Sequence, residues 1–464
     1  MIQLQDNFNY HQTEYLSFDD KKYKNDKKII GEKFVILLKD YTNEKYKNNT
    51  LFSFFKDEEK KAEKNSDDLI ISIKKDGENY LAQTGNYVGK IVWDGLEIDI
   101  RSRFSDVFLQ RMLNFANDVF LDDVSVFDAK EAKDLDFSKY IIYYMFVQNL
   151  EKAFLLGLPK AYRSIEYHEI KLKGKIDINR FIKSDIPFQG KISSTNREQK
   201  EIQEIIDTLY KAVKIIEKSG KDFTKNISHV KTHLKQHRSK KYVSNETINK
   251  ALKSKALQNP IFAPYKKVLK YAKFIINGNN FEEKKEGNEQ TYGFLVNVAE
   301  IFEIYVTKLL QKEFSDWHVE SPKIPLYENQ FFARKIIPDI VMTKDKNVMV
   351  FDTKYKKMMM RGTKENIWDV DRADFFQINT YMSCYKNSDY QVMAGGLLYP
   401  MEAKFDKAKC YSENWLGDKD TKFIVDGIDL IRVKENSKIK DLVKSETALI
   451  ERIKELMQPR NEIS

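Results

Sequence analysis

The chain has 464 residues, 42% hydrophobic and 13% aromatic, with 79 Lys and Arg against 70 Asp and Glu for a formal net charge of +9. That composition excludes a disordered, collagenous or disulfide-scaffold protein and leaves room for two to four domains of roughly 100–200 residues each. The modest basic excess suits a polyanionic partner such as nucleic acid, and a lysine-rich surface accounts for it equally well.

Cys384 and Cys410 have no metal-type spacing, so a reducing compartment is expected. The first residues, MIQLQDNFNYHQTEY, lack a basic region followed by an apolar one. No apolar run approaches the ~20 residues that span a bilayer. These features predict a soluble, cytoplasmic protein with no membrane association.

In chain order, residues 1–105 read as β-rich. Phe34–Leu38, Leu69–Ile73 and Tyr87–Ile91 are strand-sized, and Leu96–Ile100 alternates apolar and acidic residues. The polar stretch Lys39–Asp68 interrupts them, and its apolar patch Leu51–Phe55 reads as a packing anchor or a partner contact. From Val107 the period turns helical, with Phe108, Met112, Phe115 and Val119 three or four apart. Tyr140–Leu156 predicts a second helix, closed by Gly157 and followed by Pro159. A β-like insert, Tyr162–Ile178, precedes a helix expected over Glu198–Ile216 and a basic, mostly helical Lys218–Lys255. The Gly/Asn-rich Asn277–Gln290 is a boundary. Beyond it the pattern predicts a helix over Tyr292–Phe314, a β-hairpin over Ile336–Tyr355, a helix near Asp371–Lys386 and a strand at Val392–Leu398. A less regular end follows, with a last helix near Ser445–Met457. The expected fold is thus α/β and multidomain: a β-rich domain at 1–105, a mainly helical segment at 106–285 with a β insert, and an α/β domain at 286–464.

Several candidate motifs read as ordinary structure. Gly85-x-x-x-Gly89-Lys90 has one residue too few for a phosphate loop and is followed by Ile91, so a turn between strands is expected. His229, His233 and His237 would share one helix face, but their neighbourhood is Lys-rich with no acidic or Cys ligand in sequence, which favours a solvated or phosphate-contacting face. Asp122 and Asp123 read as surface or capping residues.

The hairpin reads differently. In a strand from Val348 to Tyr355, side chains alternate, so Val348, Val350, Asp352 and Lys354 share a face. A tight turn at Lys344-Asp345-Lys346 places Asp339 opposite about residues 350–352. Adjacent carboxylates repel, and a divalent cation such as Mg²⁺ with oxygen ligands offsets that cost. Lys354 would then assist the attacking water or stabilise charge on a phosphate. On the helix before, Glu303 falls at the edge of the apolar stripe and Glu300 on the solvent side. On the helix after, Gln377 and Tyr381 are four apart and face one groove. Taken alone, the hairpin reads equally as a salt-bridged turn; its two flanking helices favour a metal site.

Glu303, Pro338-Asp339, Asp352-Thr353-Lys354 and Gln377-x-x-x-Tyr381 resemble the PD-(D/E)XK nuclease signature with the Gln-Tyr motif of its RecB-like branch. The words IFEIYV, IPDIV, VFDTKYK and GGLLYP, with YVGKIVWDGLEIDIRSRF, GLPKAYRSIEYHEIKLKGKIDI and SSTNREQKEI upstream, are similar to the McrC family of McrBC- and LlaJI-type restriction systems. The resemblance covers roughly 85–210 and 291–400. It implies a restriction-endonuclease-like C-terminal domain and Mg²⁺-dependent cleavage of double-stranded DNA. Asp339, Asp352 and Glu303 would be metal ligands and Lys354 would assist catalysis. Gln377, Tyr381, Lys356, Lys357, Arg361, Lys364 and Arg372 would contact DNA. It also implies a McrB-like AAA+ GTPase hexamer as partner, which the chain's N-terminal part docks on and stimulates. Residues 39–68 and Asp94–Arg103 are the candidate docking segments. Other readings are a non-catalytic adaptor and a RecB-like repair nuclease or RNase.

Overall fold

A computed structural model of the chain describes residues 2–10, 17–18, 51–52, 70–76, 79–93, 96–116, 137–219, 224–283, 292–327, 329–331, 334–356, 370–431, 433, 437 and 439–458. Phe34–Leu38, most of Lys39–Asp68, Val119, Asp122 and Asp123 lie outside the described residues. The first main elements are β1 (Tyr87–Trp93), β2 (Leu96–Arg101) and α1 (Asp106–Ala116). Then come α2 (Phe137–Phe154), β3 (Lys160–Glu169), β4 (Ile192–Glu201), α3 (Gln203–Lys218), α4 (Ser228–His237) and α5 (Pro264–Glu283). The last group is β5 (Tyr292–Asn297), α6 (Val298–Glu313), β6 (His318–Glu320), β7 (Ile340–Lys344), β8 (Asn347–Thr353), α7 (Arg372–Lys386), β9 (Gln391–Met401), β10 (Lys422–Asp429) and α8 (Ile439–Leu456). Among the described residues no helix is long and apolar enough to cross a membrane.

The chain clusters into two compact units, Met1–Ser138 with Asn288–Ser464, and Lys139–Gly287. The sequence predicts three successive segments. The difference has a local cause. Tyr292–Asn297, expected as the start of a helix, is strand β5 and pairs antiparallel with β1. It joins a six-stranded sheet in the order Ser17–Phe18, Ile2–Gln5, β2, β1, β5, Leu51–Phe52. The apolar patch at 51–52 thereby supplies an edge strand. The expected turn between strands is Gly85–Asn86, between the strand Asn79–Thr84 and β1, while Gly89 lies inside β1. Its φ is +139°, and a Cβ there would stand 2.0 Å from the Phe294 carbonyl oxygen, so this crossing needs glycine.

The same unit holds a second six-stranded sheet, in the order β6, β7, β8, β9, β10, Tyr411–Ser412. β6 and β8 run antiparallel to β7, while β8, β9 and β10 are mutually parallel. β10 falls in the part of the sequence read as irregular. Helix α7 covers β8 and β9, and Val348 and Val350 pack with Ile378, Tyr381 and Met382. Helix α6 meets α1 as well as β6 and β8. Phe108 and Phe115 of α1 stack edge-on against Tyr305 of α6 at 5.9 and 5.1 Å. Enclosed by two neighbours, α6 buries more than one stripe, and Glu300, expected toward solvent, is only 4% exposed. Arg111 of α1 donates through Nε and Nη2 to the Glu446 carboxylate of α8, both at 2.7 Å, and the Tyr305 hydroxyl donates to the same group at 2.7 Å.

In the second unit, β3 and β4 form a long antiparallel pair from Lys160↔Glu201 to Glu169↔Ile192. Glu198–Glu201, expected as helix, completes β4, and α3 begins at Gln203. Leu209, Val213 and Ile216 of α3 are buried, as are Val230 and Leu234 of α4 and Val268, Leu269 and Ile276 of α5.

Candidate active site

The hairpin folds as its pattern dictates. Its turn carries Asp345 at φ 54°, a left-handed conformation that short Asp tolerates. The register Ile340↔Phe351 continues to Asp339 opposite Asp352. Both carboxylates are buried, at 1% exposure each. Asp339 Oδ2 accepts from the Thr353 backbone N–H at 2.9 Å and from its hydroxyl at 2.7 Å. Strand β8 thus holds Asp339 with the residue between Asp352 and Lys354.

Lys354 stands just past the end of β8. Its Nζ lies 2.8 Å from Asp352 Oδ2 and 3.6 Å from Asp374 Oδ1. It also donates to Gln377 Oε1 at 2.7 Å, and Gln377 Nε2 in turn donates to the Tyr381 hydroxyl at 2.8 Å. Burial alone would pull the lysine pKa down. Asp352, Asp339 and Asp374 outweigh burial and hold it above the ordinary value, so the side chain is an ammonium. Tyr381 is buried in the core between α7 and the sheet, with its hydroxyl committed to Gln377. The helix that presents these groups is anchored at its start: Asp371 caps it by accepting from the Ala373 and Asp374 N–H groups.

Asp374 went unread in the sequence. It is 5% exposed and accepts from Lys356 Nζ at 2.8 and 3.1 Å. The spacing Asp374, Gln377, Tyr381 places all three along one helix face, a signal that was there to be found. Lys356, expected at DNA, is engaged by Asp374 and lies 3.7 Å from Asp371. Arg372 is exposed, its guanidinium 5.3 Å from the Phe376 ring centroid. Lys357, Arg361 and Lys364 lie outside the described residues.

Glu303 is 3% exposed on α6. Its carboxylate and those of Asp339 and Asp352 do not offer three ligand atoms all within 4.8 Å of one another. Among the described residues, the one trio of His, Cys, Asp or Glu with ligand atoms all within 4.8 Å is Glu201, His233 and His237. The donor chemistry at the hairpin nevertheless fits a hard divalent cation. Two buried, cross-strand carboxylates and Asp374 outnumber the two ammonium groups of Lys354 and Lys356.

Arg103, just past the end of β2, contacts the residue that follows Lys354. Arg103 donates to the Tyr355 carbonyl, and its guanidinium lies 4.7 Å from the Tyr355 ring centroid. Ile98 and Ile100 are fully buried and the Arg103 side chain is 3% exposed. In the described part of Asp94–Arg103, expected to dock a partner, these three side chains therefore serve packing.

Fold and site together define a mixed α/β protein with an Asp-x-Lys at the end of a central strand, its aspartate buried and its lysine partly so, a second aspartate opposite, and a Gln-Tyr pair on the covering helix. The sequence model described as McrBC 5-methylcytosine restriction system component matches residues 82–400, and the chain belongs to that family. Among solved structures, one similar chain comes from the refined half-complex of the tetradecameric assembly of Thermococcus gammatolerans McrB AAA+ hexamers with bound McrC. It is 16% identical with a TM-score of 0.53, over 97% of this chain and 99% of that one. A second, from the cryo-EM structure of the Thermococcus gammatolerans McrBC complex, is 14% identical with a TM-score of 0.36, over 68% of this chain and 89% of that one. No curated protein matches.

Proposed function

We propose that this chain is the DNA-cleaving subunit of a restriction system, a Mg²⁺-dependent endonuclease of the PD-(D/E)XK type that works with a McrB-like AAA+ GTPase. The observation that carries this reading is the Asp352–Lys354 pair, with Asp339 across the strand and Gln377 steadying the lysine from α7.

Asp339 and Asp352 would hold the cation, with Glu303 the remaining candidate ligand. A cation there supplies Lewis-acid activation of water and neutralises phosphate charge. The chain's own residues do the rest. Lys354, fixed between Asp352 and Gln377, presents an ammonium to the negative charge that grows on the phosphate during in-line attack. Thr353 keeps Asp339 oriented through two hydrogen bonds, so the carboxylate is positioned before substrate arrives. Gln377 acts on Lys354 and Tyr381 on Gln377. This arrangement favours positioning over direct contact with DNA for both of them. Arg372, exposed at the start of α7, would meet a backbone phosphate.

The partner reading draws on the exposed apolar side chains of the second unit. Tyr162, Ile170, Leu172, Ile178, Ile186 and Phe188 are between 49% and 77% exposed on or beside the β3–β4 hairpin. Such a concentration suits a protein interface. We assign motor docking and GTPase stimulation to this unit in preference to Asp94–Arg103.

The test is Asp352→Ala, assayed on duplex DNA carrying 5-methylcytosine with the partner GTPase, GTP and Mg²⁺. Cleavage is expected to disappear while co-purification with the partner persists. Cleavage at the wild-type rate would overturn the assignment.

A further inference from the structure

Helix α4 carries two stripes. Val230 and Leu234, four apart, are buried in the second unit. His229, His233 and His237 repeat at the same spacing beside them. Only two of these three histidines act together. His229 packs edge-on against Phe154 at 5.7 Å. His233 and His237 lie with rings nearly parallel, centroids 4.3 Å apart and planes 26° apart.

The acidic ligand missing from their sequence neighbourhood arrives from the end of β4. Glu201 places both carboxylate oxygens 3.1 Å from His233 Nε2. One ligand atom from each of Glu201, His233 and His237 lies within 4.8 Å of the others. Glu201 and His233 are partly buried and His237 is exposed, so the cluster is open to solvent on one side.

A second observation points the same way. His237 Nδ1 lies 2.9 Å from the His233 carbonyl oxygen. A carbonyl only accepts, so Nδ1 carries the hydrogen and the neutral ring keeps its lone pair on Nε2. Histidine ligands are commonly oriented by this kind of bond from the far ring nitrogen. The surroundings are also held in place. Gln203 Nε2 donates to the His237 carbonyl at 3.0 Å, and Asp207 accepts from the Ser239 N–H and hydroxyl at 2.7 and 2.6 Å. The end of α4 is thereby fixed against the start of α3, immediately after Glu201.

We infer that Glu201, His233 and His237 form a binding site for a borderline divalent transition-metal ion, Zn²⁺ the best fit. Two imidazoles and one carboxylate match that ion better than the hard, all-oxygen preference of Mg²⁺. Solvent completes the coordination on the open side. Loading the site moves the proton on His233 Nε2 to Nδ1 or to solvent. The ion then links the base of the β3–β4 hairpin to the helical body of the same unit. The site uses other residues and another donor set than the carboxylates of the hairpin Ile340–Thr353, and it stands whether or not those cut DNA.

The experiment uses the full-length chain without a histidine tag, carrying Asp352→Asn to silence the other carboxylate site and kept in excess Mg²⁺. Titration with Co²⁺ followed by its visible absorption, with Zn²⁺ competition, is expected to give one site per chain. His237→Ala and Glu201→Gln should each weaken it by more than the roughly 10- to 100-fold that loss of a ligand's outer hydrogen-bond partner costs. His229→Ala should leave it unchanged. X-ray absorption of the Zn²⁺-loaded protein with Glu201, His229, His233 and His237 all intact should show two imidazoles with oxygen neighbours, a readout independent of how any variant of the site folds. No binding, undiminished binding in both ligand variants, or a shell without imidazole would each overturn the inference.

Discussion

Lys354 Nζ donates to Gln377 Oε1 at 2.7 Å, so a glutamine on the covering helix sets the position of the lysine at the end of the central strand. That single bond joins residues 23 positions apart in the chain. In the proposed reading Gln377 therefore acts on Lys354 rather than on substrate.

Removing the Gln377 side chain should therefore slow cleavage without abolishing DNA binding. A displacement of about 1 Å in a charge-stabilising group costs on the order of 100-fold in rate. Gln377→Leu is expected to lower kcat by about that factor with little change in KM. A proportional rise in KM at unchanged kcat would instead mark Gln377 as a DNA contact.

Thr353 makes a comparable prediction for Asp339. Its hydroxyl donates to Asp339 Oδ2 at 2.7 Å in a buried setting. Thr353→Val keeps the shape and removes that donor. It should cost about 1–2 kcal/mol of stability in denaturant unfolding and raise the Mg²⁺ concentration required for half-maximal cleavage. Thr353→Ser should restore the metal dependence.

The ion pair of Arg111 and Glu446 is a structural prediction independent of function. Arg111 is 1% exposed and doubly bonded to a carboxylate that also accepts from Tyr305. Glu446→Gln leaves a buried guanidinium without its counter-charge and should cost about 3–5 kcal/mol. Chemical denaturation of the variant measures this. Replacing both partners with apolar residues of similar volume should recover most of the loss.

Asp418 supplies a pH signature. Its carboxylate accepts from Lys386 at 2.6 Å and from the Thr421 hydroxyl at 2.7 Å. The Lys386 bond first, then Thr421, hold its pKa at about 2 against an ordinary 3.8. A depressed native pKa means the unfolded chain binds more protons in that range. The contribution is full above about pH 4 and fades as pH falls through about 2. Lys386 is 42% exposed, so solvent screening limits the pair to about 1 kcal/mol. Asp418→Asn should be destabilised by that amount at neutral pH, with the gap to wild type closing as the solution is acidified. A gap that widens toward low pH would contradict the assignment.

Gly89 tests the crossing of β1 and β5. Gly89→Ala forces a Cβ to 2.0 Å from the Phe294 carbonyl oxygen at a φ of +139°. More than about 2 kcal/mol of destabilisation is expected, measured by thermal unfolding.

What the sequence determined by itself was local. Alternation along Val348–Lys354 and the short turn at Asp345 placed Asp339 across from Asp352, because strand pleat and hairpin register depend on neighbouring residues alone. Four-residue spacing placed Gln377 beside Tyr381 for the same reason. Tertiary structure decided the rest. Tyr292–Asn297 carries an apolar run that periodicity cannot divide between strand and helix, and the free edge of β1 settled it as strand. The solvent side assigned to Glu300 was filled once α6 gained neighbours on two sides. Asp374 became part of the site only when α7 packed onto β8. Glu201 met the histidines 32 and 36 residues later in the chain through the folding of β4 against α4. Periodicity states which residues share a face, and only the packing of distant segments states what that face meets.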